Sequence, residues 1–473
     1  MKARLFGKPP WRGVSTLEIL IAFAVLTLSL TAVIIVVFGN QSLAIDTQTT
    51  IEALSRAQAG LEVARAVSRT DFSLVQSAAT STDDIYKKSV IVTDVSSSTK
   101  QVTSYVSWPQ GGRELSVKLS TILTDWFNPT DKCSSTISGN WKEPKNLGYF
   151  DFPGNEGATG VHVGGTKVYL TSNPSAAGTH DFYIVDASDT SLKPMPKFSS
   201  FSTTYGLTDV AVAGLEAYVT ADSAVAQMLV IDLSDYTNLD PSKIKARVDL
   251  TIPPDAAVGK TLTYADEKLY VGLTKSDGKE FRVIDVSTPS SPSAVGPGYE
   301  VGAAVNEILI DKNVAYLTTA STTPLIVLDI SNPASPTPLE EYAPPPSVLF
   351  GKSLALNPDG TRLYFGRTGG NANPKLLAFD PADLSTPVWT MNSGANSGVY
   401  TMTLRSHLLF ITTADPNDGL QVWDVSNPSA PPARFDTSPL PIQQSLTAGT
   451  DCAGNYLYVG QRGQRGLQIV GPS

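Results

Sequence analysis

Aspartates close six of seven similar segments in this chain of 473 residues. The segments read FYIVD, LVID, RVID, IVLD, LAFD and QVWD, and their last residues are Asp186, Asp232, Asp285, Asp329, Asp380 and Asp424. Carboxylates at such regular positions would suit acid catalysis. Five of the six, however, precede an x-Ser dipeptide, and an aspartate there is typical of a turn cap that accepts backbone N–H bonds. We therefore predict a structural role for this set.

Two short motifs resemble the end of a phosphate-binding loop. They are Gly259-Lys260-Thr261 and Gly351-Lys352-Ser353, but Pro254 and Pro346 stand where the first glycine of G-x-x-x-x-G-K-[ST] is required. Neither motif is therefore a nucleotide site, and both are expected at the first strand of a repeat. The motifs G-x-S-x-G and H-E-x-x-H do not occur in the sequence.

Metal-ligating residues are few and scattered. Asp415, Asn417 and Asp418 offer oxygen atoms to calcium, but no bidentate glutamate follows them, so a plain hairpin is favoured while a calcium site stays open. The three histidines, His162, His180 and His407, are far apart, and two cysteines cannot complete a four-ligand site. We expect no catalytic residue, no metal and no cofactor, and hence a protein that is not an enzyme.

Composition favours a β-rich body, and the N-terminal residues predict that it lies outside the cytoplasm. Charged residues make up 17% of the chain, whereas it contains 36 glycines and 33 prolines. The net charge of −9 excludes the basic surface that nucleic acid requires. Residues 1–13 are basic, and the apolar run 17–38, whose one charged residue is Glu18, is long enough for a transmembrane helix. The positive-inside rule predicts a cytoplasmic N-terminus and an extracytoplasmic body.

The N-terminal residues resemble those of type IV prepilins and pseudopilins. The basic leader ends in Gly13, and Val14-Ser15-Thr16-Leu17-Glu18 leads into the apolar helix. The resemblance implies that prepilin peptidase cuts after Gly13, that Val14 becomes a methylated N-terminus, and that Glu18 pairs with the amine of a neighbouring pilin subunit. Val14 replaces the usual aromatic residue, and the apolar helix has no proline. The alternative is an ordinary signal peptide or an uncleaved anchor.

A pilin-like domain is expected over residues 14–132. The spacing of Ile45, Leu54, Ala57, Leu61 and Ala64 predicts an amphipathic continuation of the helix to about residue 69. Three β-like segments then form a predicted meander over residues 87–126. Its last part, SWPQGGRELSVKLSTILTDW, is similar to the final strands of minor pilins. Residues 133–144 are interpreted as a linker.

The segments that close on aspartate belong to a repeat predicted to fold as a seven-bladed β-propeller over residues 145–473. Each unit pairs an aromatic strand such as KLYVGL with an apolar strand such as RVIDVS, and the closing positions, from Asp186 to Gly471, lie 44–53 residues apart. This period suits a four-stranded blade. The seventh unit shows three strands, and KNLGYFDFPG (145–154) is the candidate fourth, which would close the ring. The turns DVSTPSSP, DISNPASP and DVSNPSAP resemble the LVIVD repeats of bacterial cell-surface propellers.

The cysteines provide a check on ring closure. Cys133 precedes the presumed closing strand and Cys452 is placed just after the inner strand of the seventh blade, so closure would bring both near one blade. Disulfides persist outside the cytoplasm, and we predict that these two are bridged.

The sequence thus predicts a single-pass membrane protein that reaches a pilus or the cell surface. Its function would be that of a minor pilin or pseudopilin that assists pilus assembly or priming and displays a propeller for adhesion or ligand binding. Its partners would be prepilin peptidase, other pilin subunits, the membrane and an unidentified surface ligand. The alternatives are a membrane-tethered propeller lyase or glycan hydrolase and a pseudopilin confined to the cell envelope.

Overall fold

A computed structural model describes residues 16–70, 75–96, 99–124, 137–154, 156–174, 179–190, 193–251, 255–344, 350–368, 374–393, 397–415, 417–441, 447–463 and 465–473. The chain divides into two compact units, residues 1–125 and 126–473. The fold is mainly β, with one long N-terminal helix and eight four-stranded antiparallel sheets in the described part of the chain.

The first unit begins with helix α1, Thr16–Thr70, which joins the predicted apolar and amphipathic segments without a break. Its segment Ile19–Val37 has a mean hydropathy of 2.9 and no buried residue, and by length and composition it could cross a membrane or act as a signal sequence. The hydroxyls of Thr27, Ser29 and Thr31 donate to backbone carbonyls three or four residues earlier. These polar side chains are therefore satisfied within the helix itself.

A four-stranded meander packs on the C-terminal half of α1. Its strands are β1 (Ala78–Asp83), β2 (Tyr86–Ser96), β3 (Thr99–Gln110) and β4 (Arg113–Thr124), in the order β1-β2-β3-β4. The buried face of α1 carries Ala53, Ala57, Leu61 and Ala64, and the small side chains of its three alanines let the helix approach the sheet closely. The predicted three segments are confirmed, and β1 is an additional strand with all six residues exposed.

The second unit contains seven sheets, which we call blades 1 to 7. The strands of blades 1 to 3, from first to fourth, are β6 (Ala158–Gly164), β7 (Lys167–Ser172), β8 (Phe182–Asp186) and β9 (Lys197–Phe201); β10 (Leu207–Ala213), β11 (Glu216–Ala221), β12 (Met228–Asp232) and β13 (Ile244–Val248); β14 (Gly259–Ala265), β15 (Lys268–Leu273), β16 (Phe281–Asp285) and β17 (Ser293–Ala294).

Blades 4 to 6 continue the same order. Their strands are β18 (Val305–Asp311), β19 (Val314–Thr319), β20 (Leu325–Asp329) and β21 (Thr337–Tyr342); β22 (Gly351–Leu356), β23 (Leu363–Arg367), β24 (Leu376–Phe379) and β25 (Trp389–Met391); β26 (Val399–Arg405), β27 (Leu408–Thr413), β28 (Leu420–Asp424) and β29 (Ala433–Arg434).

Blade 7 is built from both ends of the propeller sequence. Strands β30 (Thr447–Ala453), β31 (Tyr456–Gln461) and β32 (Leu467–Gly471) are completed by β5 (Lys145–Phe150), which pairs antiparallel with β32. The predicted closing strand is therefore confirmed. The first strand of each blade contacts those of the two neighbouring blades, and β30 contacts β6, so the seven blades form a closed ring. Closure pairs the outer edge of β32, which would otherwise be open.

Residues 137–144, which the sequence suggests are a linker, pack against the propeller. Trp141 is 1% exposed and lies 4.8 Å from Phe410, centroid to centroid, in an edge-on arrangement. The Asn455 side chain binds the backbone of Ser138 through both its amide oxygen and its amide nitrogen. This short segment therefore belongs to the described core of blades 6 and 7.

Candidate functional site: the mouth of the central channel

The first strands of all seven blades carry a β-bulge at the same place. In each strand the second residue has no partner in the ladder, while the residues on either side of it pair with the second strand. A bulge re-aims the side chain of the extra residue. The seven bulge residues are Thr159, Thr208, Lys260, Asn306, Lys352, Tyr400 and Ala448.

These seven residues and Arg462 define what we call the channel mouth. They line a cavity of about 800 Å³, a size within the range of small-molecule sites. Val161, Leu262, Ile308 and Met402 also line it, and each is at most 9% exposed, so apolar side chains form much of its inner wall. The cavity therefore has polar side chains around its opening, which we call the rim, and apolar side chains deeper inside.

Side chains of the rim link neighbouring blades. The Thr159 and Thr208 hydroxyls donate to the carbonyls of Leu207 and Gly259, the first residues of the next blades. Asn306 Nδ2 donates to the Gly351 carbonyl at 2.6 Å, and Lys260 Nζ donates to Asn306 Oδ1. The position of these rim groups is thus fixed by the ring itself.

Three cations lie together at the channel mouth. Burial, with smaller contributions from the positive charges of Lys352 and Arg462, lowers the pKa of Lys260 to about 8. Burial and Arg462 also lower the pKa of Lys352. Among the described residues, none of these three cations forms an ion pair with a carboxylate.

Two carboxylates, Asp209 and Glu307, each follow a bulge residue directly, in the first strands of blades 2 and 4. Burial raises the pKa of Asp209 to about 6, against three hydrogen bonds from Thr261 Oγ1 and the Leu262 and Val210 amides, which lower it. Burial, with a contribution from the charge of Asp209, raises the pKa of Glu307 to about 8, although its Oε2 accepts a bond from the Leu354 amide. Glu307 is therefore mostly protonated at neutral pH.

The aspartates singled out in the sequence act as turn caps. In each case Oδ1 accepts a bond of 2.8–3.0 Å from the amide two residues later. Hydrogen bonds from Ser234, Ser287, Ser331 and Ser426 lower the pKa values of Asp232, Asp285, Asp329 and Asp424. The prediction of a structural role is confirmed for these six: Asp186, Asp232, Asp285, Asp329, Asp380 and Asp424.

The candidate calcium loop is a hairpin loop whose main carboxylate is already paired. Asp418 forms a two-pronged ion pair with Arg434, and Asp415 accepts the Asn417 amide. Within the described ranges, no group of three or more His, Cys, Asp or Glu side chains is arranged to hold a metal.

The remaining predicted site residues lie at the edge of the described structure or beyond it. Gly13, Val14 and Cys133 fall outside the described residues, and Glu18 lies in α1 with its side chain outside them. Cys452 lies within β30 and not after it, is 2% exposed and is disulfide-bonded. Its pairing with Cys133, and the processing and assembly roles of Gly13, Val14 and Glu18, stay predictions.

The sequence alone does not predict the channel mouth, although two of its residues, Lys260 and Lys352, stand out in short motifs. Lys260 and Lys352 belong to the two motifs that lack the first glycine of a phosphate-binding loop, and their predicted position at a first strand is confirmed. Aligning the seven first strands by the residue before the bulge places both lysines in one ring with Asn306 and Tyr400. Only this alignment of the seven repeats could have indicated the site from the sequence, because the residue spacing within any single repeat does not.

The strand order and closed ring define a seven-bladed β-propeller carrying an N-terminal apolar helix. Within it, the LVIVD repeat family model matches residues 269–297, 308–343 and 410–435, in blades 3, 4 and 6, so the chain contains LVIVD repeats. No curated protein matches the chain in sequence.

Several solved structures are similar in fold to the chain. One is a protein of Bacteroides fragilis provisionally assigned as a 6-phosphogluconolactonase (10% identity, TM-score 0.49, covering 78% of this chain and 98% of that one). Another is the WD40 repeats of RRP9 (10% identity, TM-score 0.49, 71% and 99%). A third is a protein from Lactobacillus plantarum (13% identity, TM-score 0.49, 67% and 89%).

Proposed function

We propose that this protein is a minor pilin-like or pseudopilin subunit that is anchored by α1 and displays its propeller outside the cell as a non-catalytic binding head. The observation that carries the proposal is the architecture of the first unit. One continuous helix has an exposed apolar half and a second half whose alanine-rich face packs on a four-stranded meander. Such a helix can join a membrane or filament core to an external sheet.

The N-terminal residues supply the second line of support. The order of a basic leader, Gly13, Val14 and Glu18 before an apolar helix resembles the prepilin pattern, and Glu18 is costly in a membrane unless a partner neutralises it. In the proposed mechanism, cleavage after Gly13 frees the Val14 amine of each subunit. That amine pairs with Glu18 of a neighbour during assembly, which fixes the register of the filament.

Filament incorporation tests the proposal. We expect Glu18→Val to insert into the membrane and fold normally, yet to be largely absent from sheared filaments, whereas Leu17→Val is the matched control and incorporates as wild type. Equal recovery of Glu18→Val and wild type in filaments contradicts the pairing role. Surface immunolabelling of intact cells with an antibody to the propeller separates the pilus from a pseudopilus confined to the envelope.

A membrane-tethered propeller enzyme is the second candidate function. One observation favours it: Lys260 and Glu307, both with pKa values of about 8, lie in one cavity, and displaced pKa values cluster at catalytic sites. We expect no turnover of lactones, glycans or phosphate esters by the purified protein. Turnover that is abolished by Lys260→Met and kept in Lys275→Met would favour the enzyme instead.

A further inference from the structure

We propose that the channel mouth binds a small ligand that carries an oxyanion, a carboxylate, sulfate or phosphate, on a hydroxylated body such as a saccharide. This inference specifies the ligand class of the proposed binding head. The site is complete within the propeller, so binding requires neither leader cleavage nor a filament, and the two proposals can fail separately.

The cations of the channel mouth provide the anion-binding groups. Lys260 and Lys352 come from blades 3 and 5, and Arg462 comes from blade 7, so cationic side chains from three separate blades line one cavity. Lys260 and Lys352 are half-buried and have no carboxylate partner among the described residues. Burying like charges together is unfavourable in the free protein, and an oxyanion between them would relieve that cost.

The carboxylates that share the cavity compensate only part of this positive charge. Asp209 accepts three hydrogen bonds from its own blade and from blade 3, so both its oxygens are already engaged. The exposed Asp222 accepts a bond from Asn173 at 2.7 Å. The raised pKa of Glu307 keeps it mostly neutral at pH 7. An anionic ligand therefore meets three cations, against the carboxylates of Asp209 and Asp222, so the cavity keeps an excess of positive charge at pH 7.

The rest of the cavity suits the hydroxylated part of the ligand. At the rim, the Thr159 and Thr208 hydroxyls donate their protons to backbone carbonyls and can accept hydrogen bonds from a ligand. The Asn306 amide keeps one hydrogen beyond its bond to Gly351, and the Tyr400 hydroxyl can both donate and accept. Tyr400 also offers an aromatic ring for the apolar face of a sugar. At about 800 Å³ the cavity is of the size that holds a compact small molecule, which excludes folded macromolecules from its depth.

Calorimetric titration of the full chain in detergent micelles tests the proposal. The probes are digalacturonate, glucose 6-phosphate and the neutral disaccharide lactose. We expect at least one anionic probe to bind more tightly than lactose by about tenfold or more, since charge-assisted hydrogen bonds contribute about 1.5–3 kcal/mol. Which anionic probe binds distinguishes a carboxylate from a phosphate ligand.

Matched lysine variants locate the site. Lys260→Met and Lys352→Met keep the apolar stems and remove the charges, and each should weaken binding of the anionic probe by about tenfold or more. Lys275→Met is the control, because Lys275 is exposed in the loop after β15 and does not line the cavity. Unfolding temperatures equal to wild type show that the variants are folded.

The pH dependence of binding provides a second readout. The titratable and charged groups of the cavity are Lys260, Lys352, Arg462, Asp209, Glu307, Asp222 and Tyr400. Between pH 7 and 9 Lys260 loses a proton and Glu307 gains negative charge, so binding of the anion should weaken. Lys260→Arg should retain binding to a higher pH, because its guanidinium stays charged.

Three results would overturn the inference: lactose binding as tightly as both anionic probes, no binding of either anionic probe at millimolar concentration, or an equal loss of affinity in Lys275→Met and the two channel variants. Preferential binding of an anionic probe that depends on Lys260 and Lys352 supports it, whatever the outcome of the filament experiment.

Discussion

Tyr149 and Gln468 face each other in the antiparallel ladder that joins β5 to β32, although they come from opposite ends of the propeller sequence. This pairing closes the ring, and it makes blade 7 depend on β5, which precedes all other propeller strands in the sequence. Phe150, the last residue of β5, and Phe152, two residues beyond it, pack edge-on and contact Tyr183 of blade 1, so β5 also ties blade 7 to its neighbour.

The closing strand should determine the stability of the isolated propeller. A fragment of residues 137–473 is expected to be soluble and to melt cooperatively, because it keeps β5 and the docked segment before it. A fragment of residues 156–473 loses both and exposes the edge of β32, so it should melt at lower temperature and aggregate. Circular dichroism melting and size-exclusion chromatography compare the two. Identical behaviour would contradict the role of β5.

Trp141→Ala should destabilise the propeller by about 3–5 kcal/mol, since it removes a large side chain buried against Phe410. Leu339→Ala is the control, because Leu339 is 51% exposed and should change stability by less than about 0.5 kcal/mol. Chemical denaturation monitored by far-UV circular dichroism measures both. A cost for Trp141→Ala as small as that of the control would show that residues 137–144 only rest on the surface.

Arg434 neutralises a fully buried carboxylate in blade 6. It contacts Asp436, whose side chain is 0% exposed, through Nε and Nη2, and it also holds Asp418. Arg434→Met should cost about 3–5 kcal/mol, because Asp436 is left buried without its partner. The double variant Arg434→Met/Asp436→Leu should recover part of that loss in the same denaturation experiment. A double variant less stable than Arg434→Met would argue against the unpaired charge as the cause.

Glu307 should make the propeller less stable at alkaline pH than at acidic pH. Its folded-state pKa of about 8 lies above the value of about 4.3 in an unfolded chain. Its protonated form therefore contributes stability below about pH 4.3, and this contribution is lost as pH rises through about 8. Glu307→Gln should flatten the decline in unfolding temperature between pH 5 and pH 8.5. An unchanged decline would place its origin elsewhere.

The repeat pattern made the propeller predictable, because each blade repeats a burial pattern in two central strands that the sequence displays directly. The closing strand was predictable for the same reason, since the seventh unit showed only three strands. Strand β1 was not predictable, because all six residues of AATSTD are exposed and the segment shows no alternation of apolar and polar residues. Its strand conformation depends on pairing with β2. The channel mouth was missed because its residues approach each other only when seven separate bulges close into a ring.

The N-terminus of the mature protein tests the central claim most directly. We predict that protein purified from the cell envelope begins at Val14 and that its N-terminal amine is methylated, as N-terminal sequencing and intact mass would both show. In Gly13→Leu the leader should be retained, whereas Gly7→Leu, within the leader, should be processed normally. A wild-type protein beginning at Met1, or at a residue beyond 38, would contradict the account of a pilin-like subunit.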